Sequence, residues 1–192
     1  MKQVILSLIL ATGLSFGQET IYQIDKTHSQ IGFSVKHLMI TNVHGRFTDY
    51  ESVLSWNPTS PEKSKFEVTI QTKSINTEVE KRDEHLKGAD FFDVEKFPTI
   101  KFISKKMTKK GKNFLVTGDL TIKEITKTVS IPFSALGPVK DPWGNVKVAF
   151  EGEFKINRKD YGLSWNKTLD NGGMLISEDV VITIAVETNK AN

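Results

Sequence analysis

Cysteine is absent from the 192 residues. That excludes disulfide bracing, thiolate metal sites, redox thiols and covalent haem attachment together. Stability must therefore come from an apolar core. Charge of one sign is also lacking: 26 Lys and Arg against 23 Asp and Glu leave a net +3. The lysines are dispersed apart from the pairs Lys105-Lys106 and Lys109-Lys110, so nucleic acid is not expected as a partner. Tyrosine and tryptophan are scarce, three of each beside twelve phenylalanines. No Gly-rich phosphate loop, G-x-S-x-G elbow or H-E-x-x-H pattern occurs. The four histidines, His28, His37, His44 and His85, lack the close pairing of a helix-borne zinc site. Catalytic residues, a metal and a cofactor are not expected.

What is present begins with a leader. Lys2 gives a positive start, Val4 to Leu14 is an apolar run, and Ser15 and Gly17 place small residues before Gln18. This pattern reads as a secretory signal peptide over residues 1–17, with residues 18–192 forming one mature domain exported to the periplasm or secreted. No cysteine follows the leader, which closes the lipoprotein route.

The mature sequence alternates apolar and polar residues with the period of half-buried strands. Ile31, Phe33, Val35 and His37 share one parity; so do Phe66, Val68 and Ile70. Phe114, Val116, Gly118, Leu120 and Ile122 form a third stripe, followed by Val129, Ile131 and Phe133. The longest runs from Val146 through Val148, Phe150, Gly152 and Phe154 to Ile156, and Val180 to Val186 closes the chain. Helical signal is nearly confined to Thr77–Lys87, where Thr77 and Glu80 could make a capping box and Gly88 could end the turn.

Consecutive antiparallel strands with one apolar face must close on themselves or pack against a second sheet. Long stripes interrupted by Gly118 and Gly152 favour closure, although a filled sandwich would use the same stripes. In a closed form, Phe33, Phe47, Phe102, Phe150 and Phe154 would line an apolar wall. The segment Lys81 to Phe92 mixes Arg82 and His85 with Phe91-Phe92. It reads either as a charged surface helix with two anchoring aromatics or as a cap over a barrel mouth.

Ordered motifs carry a resemblance. Asp25-Lys26-Thr27-His28-Ser29 precedes Phe33 to Leu38, and Arg82-Asp83-Glu84-His85-Leu86 precedes Asp90-Phe91-Phe92-Asp93 and Lys96 to Ile100. Gly118 to Lys123 with Thr126-Lys127, then Ile156 to Leu163, complete the series. From about Tyr22 to Thr188 the chain resembles the YceI-like family of lipocalin-like polyisoprenoid-binding proteins. One departure is Glu124, where glycine is expected.

The resemblance implies an all-β, eight-stranded antiparallel barrel of extended lipocalin type with a short helical cap. It implies a lumen holding an isoprenoid or other long-chain lipid, and no enzyme. The residues expected to meet that ligand are Phe33, Val35, His37, Phe47, Arg82, His85, Phe91, Phe92, Phe102, Phe150 and Phe154. A fatty acid or fatty amide, or a filled barrel serving stress response or protein contact, is the alternative. A peripheral encounter with a membrane and a homodimer complete the expected partners. Some forty buried carbons at about 0.8 kcal/mol each exceed the ceiling of noncovalent affinity. Chain length would therefore be selected by the depth of the lumen.

Overall fold

The computed structural model describes residues 20–170 and 172–191; the leader expected at residues 1–17 lies outside them. Eleven strands are joined in one antiparallel sheet: β1 (Thr20–Ile24), β2 (Gln30–His37), β3 (Thr41–Phe47), β4 (Tyr50–Trp56), β5 (Lys65–Gln71), β6 (Ile75–Asn76), β7 (Thr99–Lys110), β8 (Asn113–Ile122), β9 (Ile125–Lys140), β10 (Val146–Asn157) and β11 (Ile176–Lys190). Three pairs are single walls broken mid-course. A 3₁₀ turn at Lys26–His28 divides β1 from β2, two residues divide β3 from β4, and Thr72–Ser74 divides β5 from β6. Counted this way, eight walls run up and down in sequence. The fifteen-residue β11 pairs with β10 on one side and with β1 and β2 on the other. The sheet closes into an eight-stranded barrel with one helix, α1 (Glu80–Lys87).

The alternating stripes are the reason. Phe114, Val116, Leu120 and Ile122 are buried along β8, with half-buried residues between them. The parity expected for Val148, Phe150 and Ile156 holds along β10. Glycine matters where a wall must be approached closely. A Cβ at Gly118 would lie 2.4 Å from the Ile103 carbonyl oxygen and 2.7 Å from the Phe102 ring. The ring thus folds over the bare backbone of the neighbouring strand.

One end is sealed by aromatics. Trp56 meets Phe114 and Phe150 edge to face, with ring centroids 4.8 and 5.4 Å away, and Phe66 and Phe133 complete the cluster. Above this floor the inward residues Val68, Ile70, Phe102, Phe154 and Ile184 are only partly covered by protein atoms.

Outside the floor, the motif from Asp25 to Ser29 staples β1, β10 and β11. Asp25 accepts from the Thr27 hydroxyl, faces the His28 ring, and pairs with Lys147, which also meets Glu187. Those contacts, the Thr27 bond foremost, hold the Asp25 carboxyl well below the usual carboxylate range. A depressed folded pKa stabilises the fold fully above the unfolded value of about 3.9, and that gain is lost as pH falls through the folded value. Below about pH 4, the thermal midpoint of Asp25→Asn should therefore fall less steeply than that of the parent, which melting curves across that range check.

Two turns carry unexpected chemistry. Lys123 and Glu124 both adopt positive φ, 53° and 59°, between β8 and β9. This is the type I′ geometry that prefers Asn-Gly. Glu124, the departure from the family pattern, thus sits where a Cβ costs roughly 1–2 kcal/mol. Glu124→Gly should stabilise the protein by about 0.5–1 kcal/mol, read from the chemical denaturation midpoint. The capping box expected at Thr77 does not form. The helix begins three residues later, with Val79 as a cap that has no side-chain bond. Thr77 is buried at the end of the β6 wall, and its amide and hydroxyl both donate to Asp83.

Candidate functional site

Between floor and cap the barrel holds two adjoining chambers. The lower, about 150 Å³, is walled by Phe66, Val68, Phe102, Phe133, Phe150, Phe154 and Ile184, among others. The upper, about 300 Å³, lies under α1 and the segment that follows it. Phe47, Ile100, Ile122, Ile156 and Ile182 border both, so the two chambers adjoin across a shared ring of side chains. A cavity of the lower chamber's size with apolar walls stays dry and accepts apolar guests.

The cap is built from polar sequence. Helix α1 reads EKRDEHLK and buries no residue. Its role is to carry the turn after it: Phe91 donates its amide to Gly88, Phe92 to Leu86 and Val94 to Lys87. That turn drives Phe91 and Phe92 back over the mouth. Phe92 meets Phe47 edge to face at 5.9 Å. Phe91 lies 5.3 Å from Trp165, and the His85 ring stands on both, at 5.1 and 4.9 Å.

All eleven residues singled out from the sequence border the lumen. Phe102, Phe150 and Phe154 lie in the lower chamber and Phe47 at the junction. Phe33, Val35, His37, Arg82, His85, Phe91 and Phe92 wall the upper one. Phe150 belongs as much to the floor as to the lumen, being 4% exposed against Trp56 and Phe66. Arg82 and His85 are engaged locally. Arg82 donates from Nε to the Thr77 hydroxyl and from Nη2 to the Thr77 carbonyl, 2.7 and 2.8 Å. His85 Nε2 lies 3.0 Å from Asp90 Oδ2.

Sequence reasoning passed over Trp165, Leu163 and Arg158, which also wall the upper chamber. Trp165 and Leu163 fall between β10 and β11, where no periodicity marks them. Arg158 did have a signal: two steps beyond Ile156 on the inward parity of β10 lands on it. Arg158 is 3% exposed. Nε donates to the Ser177 carbonyl and Nη1 to that of Leu163. Nη2 is buried without a hydrogen-bond partner among the described residues. Burial pushes the Arg158 pKa down from its ordinary value, and the field of Glu178 opposes that shift.

The barrel is thus floored and capped, its lower chamber walled by apolar side chains and its upper one bordered by Arg82, His85 and Arg158. The YceI-like domain family matches residues 22–188. The chain belongs to the YceI-like family. Protein YceI of Salmonella newport is 36% identical over 183 residues, covering 94% of this chain and 92% of that protein. The crystal structure of a Campylobacter jejuni YceI protein, also 36% identical, matches with a TM-score of 0.71 over 88% of this chain and 97% of its own. Burkholderia cenocepacia BcnA shares the fold at 21% identity, with a TM-score of 0.76 over 85% and 98% of the two chains. A polyisoprenoid-binding domain from Saccharophagus degradans shares it at 14% identity, with a TM-score of 0.65 over 88% and 98%. With these proteins the chain shares the eight-stranded barrel.

Proposed function

We propose that this YceI-like protein is an exported, non-enzymatic carrier. It holds one isoprenoid lipid, a polyprenyl phosphate or isoprenoid quinone, with its tail in the lower chamber and its polar end under the cap. The observation that carries the reading is the stack of two adjoining chambers, the lower apolar above a phenylalanine floor and the upper bordered by Arg82, His85 and Arg158 under the cap. Walls of about twelve residues, rising roughly 3.3 Å each and tilted by about 40°, stand some 30 Å high. That height suits an extended chain better than a compact molecule. The polyisoprenoid-binding domain that shares the fold supports the same ligand class.

The polar end needs donors. Arg158 offers a buried nitrogen, Nη2, with no hydrogen-bond partner among the described residues, and a buried donor left unpaired is costly until an anion or carbonyl oxygen meets it. Arg82 and His85 stand at the rim, where a larger head group would reach them.

Native mass spectrometry of the exported protein, followed by organic extraction, tests the reading. A single bound species that extracts as a polyprenyl lipid is the expected result. A protein that carries nothing from its host and takes up no added polyprenol would favour a filled barrel, and a fatty amide in the extract would change the ligand class. N-terminal sequencing of the same material should begin at or near Gln18.

A further inference from the structure

The hairpin between β2 and β3 breaks the rule its own geometry sets. Its turn is closed by the Ile40 amide donating to the His37 carbonyl at 3.1 Å. Leu38 and Met39 between them have φ of 52° and 64°. Both central residues are left-handed, the type I′ arrangement in which Asn-Gly is favoured and bulky side chains are strained. The β8–β9 turn tolerates the same geometry with Lys123 and Glu124, whose side chains belong in water. Here the side chains are apolar, and Leu38, Met39 and Ile40 are 37%, 55% and 76% exposed. Stability is thus spent twice, on backbone strain and on bare apolar surface, at one point. Strain kept in this way directs attention to function.

The place of that point matters. The hairpin stands at the capped end, and the residues at its base, Val35, His37 and Val43, wall the upper chamber. Leu38 donates its amide to the Leu175 carbonyl at 2.8 Å, which brings the exposed Met174 beside the tip. Apolar surface therefore runs from the lumen wall out to the tip. Its electrostatic frame is basic. Residues 30–47 contain Lys36, Arg46, His37 and His44 and no acid. Lys167 lies across from the tip, its carbonyl bonded to the Leu175 amide. Of the acids on this side, Glu78 pairs with Arg46 at the far end of the hairpin, Asp90 with His85 and Glu84 with Lys87 on the cap. Glu178 is held by Lys159 and Asn157, and Asp170 shares the loop of Lys167, which leaves Lys36 and Lys167 as the cations nearest the tip.

We infer that the Leu38-Met39-Ile40 tip is a membrane-docking finger that seats the mouth of the lumen on an anionic lipid surface. The inference rests on the carrier reading above, because a lipid held in a dry lumen must be drawn from or returned to a bilayer. Three apolar side chains inserted at the interface and flanking cations over anionic head groups are the two terms that hold a protein peripherally. No helix among the described residues is long and apolar enough to cross a membrane, so contact of this kind would be reversible.

The turn supplies a test with two signs. Leu38→Asn/Met39→Gly gives the turn its preferred residues, so its thermal midpoint should rise by about 2–4 °C. Its partition onto vesicles of equal parts phosphatidylglycerol and phosphatidylcholine should fall by at least about tenfold. Ile40→Ser, outside the strained pair, should weaken partition without the rise in midpoint. The parent should bind phosphatidylcholine vesicles more weakly than the mixed ones. Absence of vesicle binding by the parent, or equal binding by the folded variants, would overturn the finger. So would a parent dimer that both variants convert to monomer with vesicle binding unchanged, which would make the tip a contact between copies. Loading of detergent-delivered polyprenol, read by native mass spectrometry, should be the same in all three proteins. A parent that loads but does not bind vesicles refutes the finger alone. Vesicle binding that the variants lose, in a protein that never loads, supports the finger and refutes the carrier reading.

Discussion

Phe154→Asp is expected to fold and to lose its long-chain lipid at neutral pH. Phe154 is paired with Ile182 across β10 and β11 and walls the lower chamber, with part of its ring open to the lumen. An aspartate therefore finds room, so the fold survives. The side chains that wall the lower chamber with it are almost all hydrocarbon. A carboxylate left in that space costs several kcal/mol or takes up a proton. Retention should return in part on acidification, as the carboxyl is neutralised, and Phe154→Leu should retain lipid throughout. Bound lipid counted by native mass spectrometry at two pH values checks this. A folded Phe154→Asp protein that keeps its lipid at neutral pH would place the chain outside the lower chamber. Phe150→Asp is a poorer probe. Phe150 meets Trp56 and Phe66 at 5.4 and 5.2 Å in the floor, so its loss should cost about 3–5 kcal/mol and threaten the fold itself.

The second large effect is expected at Arg158. Arg158→Met keeps much of the volume but leaves the Ser177 and Leu163 carbonyls without their donors. Two bonds from a charged donor, each about 1.5–3 kcal/mol, imply a loss of about 3–6 kcal/mol and a fall in thermal midpoint on the order of 10 °C. Arg158→Lys retains the charge and loses the fork, so a smaller fall is expected. Stability alone would describe a brace for the segment between β10 and β11, which makes the ligand comparison decisive. With head-group contact, both variants should lose retention of a polyprenyl phosphate while holding an uncharged hydrocarbon of similar length as the parent does. Equal change for the two ligands would assign Arg158 to the brace. Arg82→Ala and His85→Ala, compared in the same assay, report whether the head group also reaches the rim.

Alternation by two made the walls legible, because each strand buries one face and leaves the other in water, and that pattern survives without any knowledge of pairing. The floor was less legible. Phe66, Phe114, Phe133 and Phe150 share the parity of the lumen wall, and only closure of the barrel around Trp56 turned them into a plug. Arg158 was hidden for a related reason. It continues the inward parity of β10 at the point where the strand gives way to a 3₁₀ turn, and a cation there reads as a strand end. Trp165 had no signal, since it belongs to a stretch whose course is set by Asn166, which bonds both the amide and the carbonyl of Ile176. The capping box at Thr77 failed because burial of Thr77 gave its side chain a different partner, Asp83.

By itself, the sequence determined an apolar inner face on successive strands, dispersed charge outside, a core without covalent bracing and the family motifs in order. These are local properties, fixed by side-chain chemistry and the two-residue period of a strand. Tertiary structure alone decided that β11 closes on both β1 and β10, that one end is plugged and the other capped, and that a buried guanidinium and an exposed apolar hairpin tip both lie at the capped end. Those depend on register and long-range pairing, in which residues more than a hundred positions apart become neighbours, and no local pattern encodes that.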